Sequence, residues 1–266
     1  MALLLIDIGN SRVKWAQLVD GRMGRQQAAA NSRWRVGDYA RRIIGRRGGK
    51  QNARAAADRI VVSSVAGARV DRMLIAAARK MEAPAPEFVA SQRCAGGVTT
   101  AYLEPWRLGV DRFVGAIGAH HLAAGRAACV VNIGTAITID LVDATGRHRG
   151  GAIVPGPGLM VDSLLSQTSG IRRRARGGSQ GAHSLFARTT RTAIGQGSRY
   201  AAAALIDRAI EEAQKALGRR PLVLLTGGGS AAVKPLVLSA CVSVPDLVLH
   251  GLAVWASHAP LKRHLA

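Results

Sequence analysis

An α/β protein assembled from two duplicated halves is the fold class this sequence predicts, and three observations predict it. Apolar strand-like runs alternate with helical patterns along most of the chain. The segment LLLIDIGNSRVKWAQL near the N-terminus returns in outline as CVVNIGTAITIDL at residues 129–141, and one offset that sets Asp7 on Asn132 also sets Gly9 on Gly134 and Gly21 on Gly146. The length of 266 residues suits one large domain or two small ones. A repeat of nearly half the chain length divides it into residues 1–115 and 116–266, two similar halves with a cleft between them.

In chain order, LLLID reads as a strand, DIGNS as a turn and VKWAQLV as the returning strand, closed by Asp20-Gly21. RIVVSSV (59–65) is a further apolar strand. RFVGAIGAHHLAAG, after Asp111, has helical spacing and suits a helix crossing between the halves. The second copy follows with CVVN, its turn, AITIDLV and the turn Ala144-Thr145-Gly146, and then GGAIV (150–154) as a strand. GIRRRARGGSQGAHS (170–184) predicts a mobile loop. SRYAAAALIDRAIEEAQKALG carries Leu205, Ile206, Ile210, Ala213 and Leu217 at helical spacing, with Gly218 as a stop. PLVLLTG (221–227) and DLVLHGLAV (246–254) complete the expected strands, with a helix starting near Ser230 between them.

Composition narrows the class. A hydrophobic fraction of 48% and a mean hydropathy of +0.11 belong to a folded globular chain. No stretch approaches the ~18 uninterrupted apolar residues of a spanning helix, and MALLLIDIGN has no basic region ahead of its short apolar run, so a cytoplasmic protein without membrane partners is expected. Cys94, Cys129 and Cys241 are widely spaced and away from histidines, which indicates neither a disulfide framework nor a CxxC metal site. The formal charge of +21 would attract polyanions, but the basic residues are scattered and only 4% of residues are aromatic. A basic solvated surface is therefore expected over a nucleic-acid site.

Two small-residue turns carry the chemical signal. In Asp7-Ile8-Gly9-Asn10-Ser11 a carboxylate ends a buried strand, and the turn can point backbone N–H groups at an anion. That pairing suits a phosphate with its metal, Asp7 holding a divalent cation such as Mg²⁺ through water. Taken alone, Asp-x-Gly-Asn is also ordinary turn chemistry; the second copy, Asn132-Ile133-Gly134-Thr135, makes facing phosphate turns the better reading. Thr226-Gly227-Gly228-Gly229 follows an apolar strand and permits backbone approach to a flat ligand such as adenine. No Walker GxxxxGK[ST] occurs, and no GxGxxG follows a strand as a dinucleotide fingerprint requires.

The order DIGNS, YLEPWRLGVDR, NIGTAITID, GGAIVPGPGLM and LLTGGG resembles the type III pantothenate kinases, of the acetate and sugar kinase, Hsp70 and actin superfamily. LGVDR and GGAIVPGPGLM are its discriminating pieces. The resemblance implies two actin/hexokinase-like, ribonuclease H-like domains with ATP in the cleft between them, and a homodimer that phosphorylates pantothenate in the first step of coenzyme A synthesis. It makes Asp111 the general base for the primary hydroxyl, with Tyr102, Gly109, Val110, Arg112 and Thr190 around the substrate. It assigns ATP to Asp7, Ile8, Gly9, Asn10, Ser11, Arg12, Val13, Lys14 and Thr135, with Gly227 and Gly228 near the adenosine.

Bland readings stand beside these. Asp111 also suits a helix cap, Arg112 a surface arginine, Tyr102 a packed aromatic, and Thr189 or Thr192 could stand where Thr190 is placed. Periodicity leaves open whether Lys14 meets phosphate or points outward, and His120 and His121 suit a helix face. One residue departs from the family pattern: Asn132 stands where relatives usually carry Asp, a ligand of a monovalent cation, K⁺ or ammonium, near the dimer interface. An amide keeps an oxygen and loses the charge, which puts that cation requirement in doubt. Two other functions fit the same sequence, a non-catalytic nucleotide-binding accessory factor for transcription and a kinase of this fold with another acceptor.

Overall fold

The computed structural model describes residues 1–45, 57–175 and 184–258, and the chain packs into two compact units, Met1–Leu122 with Asp246–Ala266, and Ala123–Pro245. The C-terminal segment thus joins the first unit, whereas the division read from the repeat places it in the second half.

In the first unit, β1 (Ala2–Ile8), β2 (Arg12–Val19), β3 (Arg22–Met23) and β4 (Gln27–Ala30) lead to a short helix α1 (Val36–Tyr39) that widens into a π-turn over Ala40–Ile44. Next come β5 (Arg59–Ser64), α2 (Ala68–Lys80), β6 (Pro86–Phe88), the small hairpin β7 (Cys94–Ala95) and β8 (Val98–Thr99), and α3 (Val110–Ala123). The second unit holds β9 (Ala128–Ile133), β10 (Ala136–Val142), β11 (His148–Pro155), α4 (Pro157–Gln167), α5 (Ser169–Arg174), α6 (Thr190–Leu217), β12 (Leu222–Thr226), α7 (Ser230–Val233) and β13 (Val242–Ser243). Helix α8 (Leu247–His258) returns to the first unit.

The duplication is visible in the topology. The first sheet runs β3-β2-β1-β5-β6 and the second β11-β10-β9-β12-β13, with β4 added alongside β2. In both, the two hairpin pairs are antiparallel and the last two pairings parallel. The copies differ at the turn. Ile8 pairs with Val13 across four residues, and Ile133 with Ile137 across three, so a constant offset fails beyond it: Lys14, opposite Asp7, corresponds to Thr138, opposite Asn132.

Strand alternation sends the residues of β1 to two cores. Leu4, Ile6 and Ile8 face a cluster with Val13, Trp15, Tyr39, Ile60, Val62 and Leu74 of α2. Leu3 and Leu5 face the other, with Ala16, Val61, Val114 of α3, and Val248, Leu249 and Leu252 of α8. Each fully buried side chain of this size contributes about 1.5–3 kcal/mol. The second unit packs Val131, Ile133, Ile137, Val223 and Leu225 beneath Ala202, Ile206 and Ile210 of α6.

Three expected elements change. DLVLHGLAV is helical, not a strand: residues 247–258 form α8, whose Leu247, Val248, Leu249, Leu252 and Ala256 are buried. A helix nearly apolar all round carries no period that separates it from a buried strand. Its Gly251 lies against the Val114 carbonyl, and Gly118 of α3 against the Leu247 carbonyl, so paired glycines let the two helices meet closely. Helix α6 begins at Thr190, well before Ser198, and ends at Gly218 with φ +67° as expected. The predicted loop at 170–184 is helical as far as Arg174, and its residues 176–183 lie outside the described residues. Among the described residues no helix is long and apolar enough to cross a membrane.

Candidate active site

Asp7 is the last residue of the row Leu3, Leu5, Asp7 that β1 turns toward α3 and α8. It lies opposite Lys14 on β2 and Ser63 on β5. Only 9% of its surface is exposed, and its carboxyl is pushed up to about 6, first by burial and also by the negative charge of Asp111; Lys14 and Ser63 pull the other way. The register puts Lys14 on Asp7's face of the sheet. Ser63 is a buried polar partner that sequence reading missed; its only signal is the serine pair that breaks the apolar run of β5.

The turn after Asp7 is tight. Gly9 N–H donates to the Arg12 carbonyl at 2.9 Å, and a β-carbon on Gly9 would meet that oxygen at 3.3 Å. Asn10, Ser11 and Arg12 are exposed, whereas Ile8 and Val13 are fully buried in the core, so what those two could offer a ligand is backbone alone.

Asp111 sits in the first turn of α3, where a carboxylate is favoured by the helix dipole. The Gly109 carbonyl receives the Phe113 N–H at 3.0 Å. The Arg112 N–H donates to Asp111 Oδ1 at 2.9 Å, fixing the carboxylate at the helix start. Gly109 explains itself here: a β-carbon there would stand 2.8 Å from Asp111 Oδ1. Asp111 thus lies inside the first turn, one residue past the first helical position, rather than at the cap, and its charge reaches Asp7.

Arg112 is not a surface arginine. It is 7% exposed, its Nη1 donates to Tyr102 Oη at 2.9 Å, and its guanidinium lies 5.7 Å from the Tyr102 ring centroid. Tyr102 is itself held by Arg93, whose Nη1 donates to its carbonyl at 2.9 Å. Val110 opens α3 and also packs against the Leu3 and Leu5 core. Tyr102, Gly109, Asp111 and Arg112 thus form one connected group in the first unit, and the charge of Asp111 acts on Asp7, which lies opposite Lys14.

The second unit assembles its own pair of turns. Gly134 N–H donates to the Ala136 carbonyl and Gly156 N–H to the Thr135 carbonyl, and Thr135 is exposed. Gly229 N–H donates to the Ile133 carbonyl at 2.9 Å. Gly227 has φ +91° and lies so close to the Ile133 carbonyl and to Asn132 Oδ1 that no side chain fits there, while Gly228 is exposed. Asn132 is flanked by Thr138 and Thr226, the positions that Lys14 and Ser63 hold around Asp7. Thr189 caps α6 through its bond with Thr192, leaving Thr190 in the first turn. Thr192 lines a cavity of about 310 Å³ with Arg191, Ile194 and Arg199. Helix α7 starts at Ser230 but runs only four residues.

No group of three or more His, Cys, Asp or Glu side chains that could hold a metal occurs among the described residues. The donor set around Asp7 fits a hard divalent cation held by one carboxylate, with water and phosphate oxygens completing its shell; two carboxylates and one lysine leave negative charge for it. Around Asn132 the neighbours are neutral hydroxyls, a poor fit for a cation that depends on charge. Cys129 is kept as an unreactive thiol: burial pushes it up to about 12.

The type III pantothenate kinase family model matches residues 3–212. Among similar curated proteins, the type III pantothenate kinase of Herminiimonas arsenicoxydans is 37% identical over 96% of this chain and 98% of its own, and that of Nitrosococcus oceani 33% identical over 94% and 92%. Two solved structures share the fold at low identity. A Baf family transcriptional activator from Campylobacter jejuni has a TM-score of 0.55 and 18% identity, covering 94% of both chains. MreB 5 of Spiroplasma citri bound to AMPPNP has a TM-score of 0.50 and 10% identity, covering 96% of both. The duplicated α/β architecture is accordingly an actin-like fold, and the chain belongs to the type III pantothenate kinase family.

Proposed function

We propose that the protein transfers the γ-phosphoryl group of ATP to the primary hydroxyl of pantothenate, giving 4'-phosphopantothenate and ADP, the first step of coenzyme A synthesis. The observation that carries this reading is the linked set Gly109, Asp111, Arg112 and Tyr102 at the start of α3, with Asp111 close enough to act on the charge of Asp7.

In this reading Asp111 accepts the hydroxyl proton as the oxygen forms its bond to the γ-phosphorus, and the bond to the β-phosphate oxygen breaks to release ADP. Arg112, oriented by Tyr102, supplies the fixed cation for the pantothenate carboxylate or the moving phosphoryl group. Val110 and Thr190 complete the acceptor site. Gly9, Asn10, Ser11 and Arg12 present the turn to phosphate oxygens, Ile8 and Val13 contribute backbone, and Lys14 and Thr135 add a cation and a hydroxyl. Gly227 and Gly228 offer bare backbone to the adenosine. A divalent ion held through water by Asp7 would neutralise charge on the phosphates. Most of the rate then comes from alignment and charge neutralisation, with the base contributing its share.

The neutral surroundings of Asn132 support activity with a weak or altered K⁺ or ammonium requirement. The reading takes the protein as a cytoplasmic homodimer, as its family resemblance implies. A coupled assay for ADP, with and without pantothenate and Mg²⁺, tests it. Turnover should need both and be lost in Asp111→Asn with ATP binding kept. ADP formation independent of pantothenate would overturn the reading.

A further inference from the structure

We propose that Asn31 is a positioning residue for the phosphate-facing turn Gly9–Arg12, acting on ATP through that turn; this rests on the phosphotransfer reading above. Strand β4 pairs with β2 as far as Arg12 opposite Ala30. One residue further, Asn31 is brought alongside the turn itself. Its backbone N–H donates to the Ser11 carbonyl at 3.2 Å, and its side-chain Nδ2 donates to the Gly9 carbonyl at 3.5 Å. With Gly9 N–H closing onto the Arg12 carbonyl, three carbonyl oxygens of the turn are engaged by donors of the protein.

That distribution matters for an anion. A carbonyl oxygen facing a phosphate repels it, whereas backbone N–H groups and the exposed Asn10 and Ser11 side chains attract it. Drawing the Gly9 and Ser11 carbonyls toward Asn31 fixes which edge of the turn faces outward. Asn31 is well placed to hold them because it is itself held. It is 7% exposed, and its carbonyl accepts the Trp34 N–H at 3.0 Å. The Trp34 ring meets Trp15 and Tyr39 edge-on, at centroid distances of 6.3 and 5.1 Å. A rigid aromatic cluster thus sets Asn31, and Asn31 sets the turn. Nothing in the sequence around QAAAN marks it; only the strand pairing brings it there.

The test compares the full-length wild type with Asn31→Ala and the isosteric Asn31→Asp, measuring the Kd of Mg²⁺-ATP by calorimetry without pantothenate, both KM values and Tm. The alanine variant should weaken ATP about three- to tenfold in Kd and KM, the scale of one lost hydrogen bond, with the pantothenate KM within about twofold. The aspartate variant loses the amide donor and adds charge, so it should be weaker still at pH 8. Its deficit relative to wild type should shrink toward pH 5, as a protonated carboxyl can again donate to the Gly9 carbonyl. ATP affinities unchanged in both variants, or both KM values rising together as Tm falls, would overturn the proposal. Should the alanine variant fail to fold, the aspartate variant alone decides. If the wild type binds ATP without pantothenate-dependent turnover, the kinase reading fails while the Kd comparison still decides the role of Asn31.

Discussion

Asp7 and Lys14 stand directly opposite each other on β1 and β2, and at the matching point of the second unit the pair is Asn132 and Thr138. The two copies therefore differ by a charge pair, not by a single carboxylate. In the first unit a buried anion has a cation beside it; in the second, both partners are neutral. The duplicated hairpin has kept its strand pairing and divided its electrostatics, so that one copy carries the carboxylate and the other an amide.

Asp7→Asn should stabilise the apoprotein at neutral pH while abolishing turnover. The folded carboxyl titrates at about 6 against an ordinary 3.8, so the native state holds this proton more tightly than the unfolded chain. Stability from this group is fully present below about pH 4, falls as pH rises toward 6, and stays low above it. Ionisation there costs on the order of 3 kcal/mol. Urea unfolding of the variant should show a gain of that order at pH 7.5 and little at pH 4; a difference that does not vary with pH would contradict the assignment.

Gly109→Ala would put a β-carbon 2.8 Å from Asp111 Oδ1 and displace the carboxylate. We expect kcat to fall about 10²-fold, the scale of a small misplacement of a reacting group, with the Kd of ATP unchanged. Steady-state kinetics beside ATP calorimetry measure this. A normal kcat would show that Asp111 does not need its present position.

Tyr102→Phe removes the oxygen that accepts from Arg112 Nη1 and leaves a nearly buried guanidinium with one partner fewer. A hydrogen bond to a charged group is worth about 1.5–3 kcal/mol, so the pantothenate KM should rise at least about tenfold while the ATP KM holds. Equal changes in both would place Tyr102 outside the acceptor site.

Asn132→Asp restores a carboxylate among neutral neighbours. The variant should gain a saturable dependence on K⁺ or ammonium stronger than that of the wild type, read as ADP formation in K⁺ against Na⁺. A wild type already as K⁺-dependent as the variant would overturn the electrostatic account of this position.

Much of this was legible in the sequence, because the signals were local. Each hairpin announces itself by apolar runs flanking a small-residue turn, and the copies lie far enough apart to be seen as duplicates. Gly218 ends α6 where an αL residue is required, and LGVDR marks the start of α3. Local patterns also misled. Apolar all round, α8 reads as a strand, and the shorter second turn hid the correspondence of Lys14 with Thr138.

By itself the sequence determined the α/β class and the duplication and nominated the residues of the proposed site, since strand alternation and turn composition act over a few residues. Only the tertiary structure decided which of those residues meet. Register set Asp7 between Lys14 and Ser63, packing of α3 on the Leu3 and Leu5 face brought the charge of Asp111 to Asp7, and β4 carried Asn31 to the turn. Those relations depend on hydrogen bonds and burial between segments distant along the chain, and no periodicity within one segment records them.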